Sequence, residues 1–143
     1  MAAAGPSPDD WSMTTCLIAD DHEDVLDAVS AYLRSEGYEV VGLASTAADA
    51  IRLLEEFRPD VAVLDYQLPD ATGIDIVRGL SAGGPTTATV LLSGEVTRSI
   101  VAEALATGIS GVVLKESAPA TLTRAIETVL SGKRYVDPQL RRT

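Results

Sequence analysis

The chain has 143 residues, of which 46% are hydrophobic and 22% are charged. This length and composition allow one domain with a real hydrophobic core and exclude wholesale disorder. The formal net charge of −10 argues against a nucleic-acid-binding surface on this chain alone. The single cysteine, Cys16, excludes an internal disulfide framework and fits a reducing compartment, so we expect a cytoplasmic location. No apolar run approaches the roughly 20 residues of a membrane span, and we expect no membrane association.

The acidic side chains are concentrated in the first half of the chain. Residues 1–75 carry 16 acidic and 3 basic side chains, whereas residues 76–143 carry 5 acidic and 8 basic ones. Such an asymmetry indicates either a solvated acidic patch or a cation site. Part of it needs no ligand, because Glu23, Asp24 and Asp27 lie near the start of a predicted helix, where the helix dipole favours negative charge.

In chain order, residues 1–13 are small, proline-bearing and aperiodic, and they predict a loose, disordered leader. Five short apolar runs then predict strands over residues 16–19, 38–43, 61–64, 88–92 and 111–114. Apolar residues at helical spacing follow each run. Gly37, Gly108 and Gly132 indicate helix ends, and Ser45 or Thr46, followed by Asp49, indicates a helix start.

Five strand–helix units with strands that are apolar on both sides predict an α/β fold. We expect a doubly wound five-stranded parallel sheet with helices on both faces, of the flavodoxin-like type with strand order 2-1-3-4-5. In such sheets ligands bind beyond the carboxyl ends of the strands, at the point where the strand order reverses.

Polar side chains stand at the ends of four predicted strands. Asp20 and Asp21 follow the first, Asp65 the third, Ser93 the fourth and Lys115 the fifth. Carboxylates that converge repel one another unless a cation intervenes, and carboxylate oxygens with water suit Mg²⁺. An aspartate can form an acyl phosphate, and a lysine and a hydroxyl can bind the phosphoryl oxygens. These strand ends therefore predict a magnesium and phosphoryl site.

These residues lie in four separated motifs that resemble the receiver domain of two-component response regulators (CheY-like domains). The motifs are LIADDH at 17–22, DVAVLDYQLPDATG at 60–73, VLLSG at 90–94 and GVVLK at 111–115. The resemblance covers about residues 14–132, which we take as the receiver domain. It implies a phosphorylation-controlled switch rather than an enzyme, with at most slow self-dephosphorylation.

The resemblance also implies a role for each matching residue. Asp65 would be the phosphoacceptor. Asp20, Asp21 and Asp65 would hold Mg²⁺ together with the backbone carbonyl of Gln67.

The remaining site residues would act on the phosphoryl group itself. Ser93 would bond the phosphoryl group and draw its loop inward, and Lys115 would pair with the phosphoryl oxygens. Gln67 and Glu95 occupy the positions that tune the lifetime of the phosphoryl group in this family.

Two residues depart from the family's pattern. Val112 stands where many members have an aromatic switch residue. Glu116 stands where many have proline, so no cis peptide bond is expected after Lys115.

The C-terminal sequence resembles the NarL/FixJ-like branch of the response regulators, whose output is a DNA-binding helix-turn-helix (LuxR-type) domain. KESAP at 115–119 and SGKRYVDPQL at 131–140 carry this resemblance. Residues 133–143 would then begin a linker to an output domain absent from this chain. The implied partners are a sensor histidine kinase, a second copy of the chain on phosphorylation, and DNA only through the output domain.

Other functions stay open at this point. A degenerate receiver could act as an interaction module without phosphorylation. A phosphatase of the haloacid-dehalogenase type would want a second aspartate at the position of Gln67. A flavin- or nucleotide-binding module is disfavoured by the acids that follow the first strand. His22 is expected to be a solvated residue and Cys16 a buried one.

Overall fold

A computed structural model describes residues 13–80 and 86–142. The predicted leader, residues 1–13, lies outside the described residues except for Met13. The strands are β1 (Thr15–Ala19), β2 (Glu39–Ala44), β3 (Val61–Asp65), β4 (Ala88–Ser93), β5 (Gly111–Leu114) and β6 (Tyr135–Val136). The helices are α1 (Glu23–Ser35), α2 (Ala47–Phe57), α3 (Gly73–Gly79), α4 (Arg98–Thr107) and α5 (Leu122–Leu130), with short 3₁₀ turns at Lys115–Ser117 and Pro138–Arg142.

The strands form one parallel sheet in the order β2-β1-β3-β4-β5-β6. This confirms the doubly wound architecture and the predicted order of the first five strands. The sixth strand was not predicted. It pairs Tyr135 with Gly111 and Val136 with Val112, in the segment where the sequence predicts the start of a linker.

Helices cover both faces of the sheet, as predicted. On one face α1 and α5 bury Leu33 and Ile126 against the strands. On the other face α2 and α3 bury Leu54 and Ile76, and α4 buries Ala104. Among the described residues, no helix combines the length and apolar character needed to cross a lipid bilayer.

Cys16 lies inside this core, as predicted, with no exposed surface. Burial raises the pKa of its thiol to about 11, against a smaller opposing effect of Arg34. The thiol therefore behaves as a small apolar group rather than a nucleophile.

The start of α2 is capped from two directions. Thr46 accepts a hydrogen bond from the backbone N–H of Asp49 (3.1 Å), as the sequence predicted. The carboxylate of Asp70, in the loop after β3, also accepts from the N–H groups of Ala47 (2.7 Å) and Ala48 (3.0 Å). Asp70 thereby ties the loop that follows Asp65 to a neighbouring helix.

The bonds from α2 predict an acid-sensitive contribution of Asp70 to stability. The N–H groups of Ala47 and Ala48 hold the pKa of Asp70 below its ordinary value. Its ionised form is therefore favoured in the folded state, and the stabilisation is present above the unfolded pKa and lost as the pH falls through the folded pKa. We expect Asp70→Asn to lower the urea midpoint at neutral pH, with the difference from wild type shrinking as the pH falls through the lowered pKa of Asp70 in the folded state.

The matched control for this titration is Asp27→Asn, an exposed residue that lies beyond the first turn of α1, where the dipole effect has faded. It is expected to leave the urea midpoint nearly unchanged at neutral and at acidic pH. A constant difference between Asp70→Asn and wild type at every pH would contradict the capping role of the charge.

Candidate functional site

A cavity of about 400 Å³ opens at the carboxyl ends of the central strands. Its walls come from β3, β4 and the ends of β1 and β5, where the fold class placed the site. It is lined by Asp21, His22, Asp65, Tyr66, Gln67, Ser93, Gly94, Glu95, Thr97, Ile100 and Lys115. The predicted residues from four strands are thus brought to one place, and Asp20 lies beneath them.

The centre of the site is a buried ion-pair cluster. Asp20 and Asp65 are only 1% and 3% exposed. The ammonium group of Lys115 lies 3.1 Å from Oδ2 of Asp65 and 3.2 Å from Oδ2 of Asp20. Each group is held by a strand end: Asp65 is the last residue of β3, Asp20 follows β1, and Lys115 follows β5.

Burial of the cluster disfavours its negative charge. Desolvation raises the pKa of Asp65, and the nearby charge of Asp20 raises it further, against the opposing effects of Lys115 and the N–H of Gln67. Burial lowers the pKa of Lys115, but its contacts with Asp65 and Asp20 more than offset this, so its pKa is raised. The cluster therefore carries more negative charge than Lys115 balances, and an additional cation would stabilise it.

The acidic side chains are close enough to share a cation. Ligand atoms of Asp20, Asp21, His22 and Asp65 all lie within 4.8 Å of one another. Oδ2 of Asp20 is buried and, within the described residues, accepts no hydrogen bond, although it pairs electrostatically with Lys115. Carboxylate oxygens around a partly hydrated pocket are the donors that Mg²⁺ prefers, so this site fits magnesium.

His22 is exposed, as predicted, but it is not isolated. Its Nδ1 lies 3.1 Å from Oδ1 of Asp20 and 3.2 Å from Oδ1 of Asp21, while 61% of its side chain is exposed. Its backbone N–H donates to Asp20 (2.8 Å). His22 therefore helps to orient the two carboxylates.

Ser93 and Gln67 line the same cavity as Asp65. The hydroxyl of Ser93, which is buried, donates to the backbone carbonyl of Glu95 (2.8 Å). The N–H of Gln67 donates to Oδ1 of Asp65 (3.2 Å). The use of the Gln67 carbonyl as a metal ligand stays a prediction, as does the effect of Glu95 on phosphoryl lifetime.

Sequence reasoning missed one wall of the cavity. Tyr66, Thr97 and Ile100 line it, and the ring of Tyr66 packs on the apolar cluster that contains Val112. Val112 is fully buried there, so an aliphatic side chain fills the position of the family's aromatic switch. The cis peptide bond in this region joins Ala118 and Pro119, and none follows Lys115.

Close packing between α3 and the site gives a mutational prediction. A Cβ at Gly73 would lie 2.7 Å from the backbone oxygen of Asp65 and 2.7 Å from Cδ1 of Leu91, closer than real contacts allow. We expect Gly73→Ala to lower the free energy of unfolding by about 1–3 kcal/mol, measured by urea unfolding. Gly94→Ala is the matched control, because a Cβ there meets nothing within 4 Å. Equal stability of the two variants would contradict this packing.

A doubly wound parallel sheet that gathers an acidic pair, an aspartate, a hydroxyl and a lysine at one rim defines a class of α/β signalling receivers. The chain belongs to the response regulator receiver domain family, whose sequence model matches residues 16–127. It is the receiver part of a two-component response regulator.

Individual relatives place the chain beside receivers of the LuxR/NarL type. The DNA-binding transcriptional activator DevR/DosR of Mycobacterium tuberculosis is 33% identical over 126 residues, which cover 87% of this chain and 58% of that protein. This chain therefore spans little more than half the length of that relative.

Solved structures of response regulators are similar to this chain. A LuxR-family response regulator from Aurantimonas sp. superposes with a TM-score of 0.85 at 32% identity, covering 92% of this chain and 94% of that one. The isolated receiver domain of RcsB from Salmonella enterica serovar Typhimurium, solved with the phosphomimetic beryllofluoride, gives 0.81 at 26% identity, covering 92% and 98%.

Proposed function

We propose that Asp65 accepts a phosphoryl group from a sensor histidine kinase, with Mg²⁺ held by Asp20, Asp21, Asp65 and the backbone carbonyl of Gln67. The observation that carries this proposal is the convergence of the buried Asp65 with Asp20 and Lys115, at 3.1–3.2 Å from the lysine nitrogen. A buried carboxylate that touches a lysine and opens onto a cavity is placed to act as a nucleophile.

The transfer forms one bond and breaks another. A carboxylate oxygen of Asp65 attacks the phosphorus, the bond from phosphorus to the donor's histidine nitrogen breaks, and the imidazole leaves with the electron pair. The product is an acyl phosphate on Asp65. Lys115, already beside Oδ2 of Asp65, pairs with the new phosphoryl oxygens, and bound Mg²⁺ supplies further neutralisation of their charge.

The new phosphoryl group would change the loop that follows β4. In the structure the Ser93 hydroxyl is bonded to the Glu95 carbonyl within its own loop. A phosphoryl oxygen is a stronger acceptor, so the hydroxyl would turn toward it and pull residues 94–97 inward. Because α4 begins directly after this loop, the movement would reach α4.

The output would act through a domain beyond the receiver. The relative DevR/DosR is described as a DNA-binding transcriptional activator, which supports control of transcription through a C-terminal DNA-binding domain outside this chain. The acidic charge of this chain supports DNA contact through that domain alone. Phosphorylation would promote homodimerisation, and the reduced, buried Cys16 is consistent with work in the cytoplasm.

The experiment that tests the proposal is phosphorylation by acetyl phosphate with and without Mg²⁺, followed by intact mass spectrometry. We expect one phosphoryl group per chain, formed only with Mg²⁺ and lost slowly afterwards by self-hydrolysis. Peptide mapping should place it on Asp65. Failure to label the folded chain, together with failure to bind beryllofluoride, would favour the unphosphorylated interaction module. Steady turnover of a phosphomonoester would instead indicate a phosphatase.

A further inference from the structure

A third buried carboxylate, besides Asp20 and Asp65, lies outside the cavity, in the C-terminal segment of residues 135–140. Asp137 is 1% exposed. Its Oδ2 accepts a hydrogen bond from the N–H of Leu114 (3.1 Å), and its Oδ1 accepts from the N–H of Gln139 (3.1 Å). Its own N–H donates to the carbonyl of Val112 (2.9 Å). The side chain thus joins the end of β5 to the first turn of the terminal 3₁₀ helix.

The position of this bond along β5 connects it to the phosphoryl site. Leu114 is the last residue of β5, and the next residue is Lys115, which contacts both buried carboxylates of the site. The last backbone bond to β5 comes from the N–H of Asp137, and the next N–H along β5, that of Leu114, is accepted by the Asp137 carboxylate. It therefore holds the backbone immediately before the lysine.

The same segment also contacts the helix that follows the Ser93 loop. Leu140 packs in the apolar cluster that includes Ile100 and Val101 of α4. Residues 135–140 thus touch β5, which carries Lys115, and α4, which begins after the loop of Ser93. The segment of residues 135–140 is therefore in contact with both elements that could move when the phosphoryl site is occupied.

We propose that Asp137 is a positioning residue for Lys115, and that it couples the docking of residues 135–140 to occupancy of the phosphoryl site. This inference rests on the proposed function. Coupling between two sites is reciprocal. A phosphoryl group that moves Lys115 therefore changes the docking equilibrium of residues 135–140, and undocking of that segment lowers the affinity for the phosphoryl group by the same factor.

A carboxylate suits this role because it offers a separate oxygen to each of two backbone N–H groups. An asparagine has one acceptor oxygen, and its amide nitrogen would face the second N–H as another donor. Alanine leaves both N–H groups of Leu114 and Gln139 without these acceptors. The two replacements should therefore give graded effects.

The test is the affinity for beryllofluoride in the presence of Mg²⁺, followed by backbone amide NMR on the 143-residue chain. We expect Asp137→Ala to weaken binding about tenfold and Asp137→Asn about threefold, because one to two hydrogen bonds that hold the Lys115 backbone are lost. Gln139→Ala is the control, since its side chain is exposed and the bond to Asp137 comes from its backbone. It should match wild type.

A second readout separates positioning from general loss of structure. Lys115 would contact the phosphoryl mimic and would repel a metal, so Mg²⁺ affinity measured without fluoride should be unchanged or tighter in both Asp137 variants. Beryllofluoride should also alter the amide exchange rates of Leu114 and Gln139 in wild type.

Three results would count against this inference. Equal beryllofluoride affinity in wild type and both variants would overturn it while leaving the proposed function intact. A parallel loss of Mg²⁺ and beryllofluoride affinity would reduce Asp137 to a structural residue. A wild-type chain that binds no beryllofluoride would overturn the proposed function and this inference together.

Discussion

Asp65→Asn is expected to abolish phosphorylation of the chain by acetyl phosphate. The amide oxygen of asparagine is not a competent nucleophile for phosphorus, while its size leaves the cavity walls in place. The variant also removes one of the buried negative charges around Lys115, and burial has already raised the pKa of Asp65. We therefore expect the variant to be at least as stable as wild type in the absence of metal, while its labelling falls below detection in intact mass spectrometry.

The matched control is Asp60→Asn, which changes the aspartate directly before the same strand. Asp60 lies at the opposite end of β3, where its carboxylate accepts from the N–H of Thr15 (2.8 Å). Its loss is expected to reduce stability slightly and to leave phosphorylation as in wild type. Residual labelling of Asp65→Asn at the wild-type rate would place the phosphoacceptor elsewhere.

Lys115→Met is the second variant with a large expected effect. It should strengthen the stabilisation by Mg²⁺ and weaken the binding of beryllofluoride. Without the ammonium group, the buried carboxylates of Asp20 and Asp65 lose their counter-charge. We expect the free energy of unfolding without metal to fall by about 3 kcal/mol, because removing one partner of a buried ion pair leaves the other charges uncompensated. Mg²⁺ should restore more stability to the variant than to wild type, since the cation meets less competing positive charge.

Lys115→Met should also bind the phosphoryl mimic beryllofluoride more weakly. Beryllofluoride affinity is expected to fall by at least about tenfold, because a charge-assisted contact is removed. Lys133→Met is the control, since that lysine is exposed and the sequence has no third one. If Lys115→Met bound Mg²⁺ more weakly than wild type and beryllofluoride equally well, Lys115 would not be the residue that binds the phosphoryl oxygens.

The sequence was sufficient for the architecture because its inner strands are buried on both sides. The run VAVLD at residues 61–65 is buried throughout, and such a run forms an inner strand of a covered parallel sheet. That architecture brings the carboxyl ends of neighbouring strands together, so Asp65, Ser93 and Lys115 could be predicted to meet without knowledge of any distance.

Features made by single side chains were beyond the sequence pattern. No contact could be predicted for Asp70 or Asp137, because an acidic residue beside a loop or a proline is ordinarily solvated. The carboxylate of Asp70 accepts the N–H groups of Ala47 and Ala48, which lie 23 and 22 residues away in the sequence. The carboxylate of Asp137 accepts the N–H of Leu114, 23 residues away, and that of Gln139. Two-residue β6 was invisible because no alternating or apolar run marks it.

The brevity of β6 has a practical consequence for handling the protein. An edge strand offers unpaired N–H and C=O groups to other chains, and two residues offer very few of them. A chain shortened to end at Gly132 would instead present β5, whose four residues are fully buried, as a bare apolar edge. Such a fragment should aggregate during purification, whereas one that extends through Leu140 keeps that edge shielded.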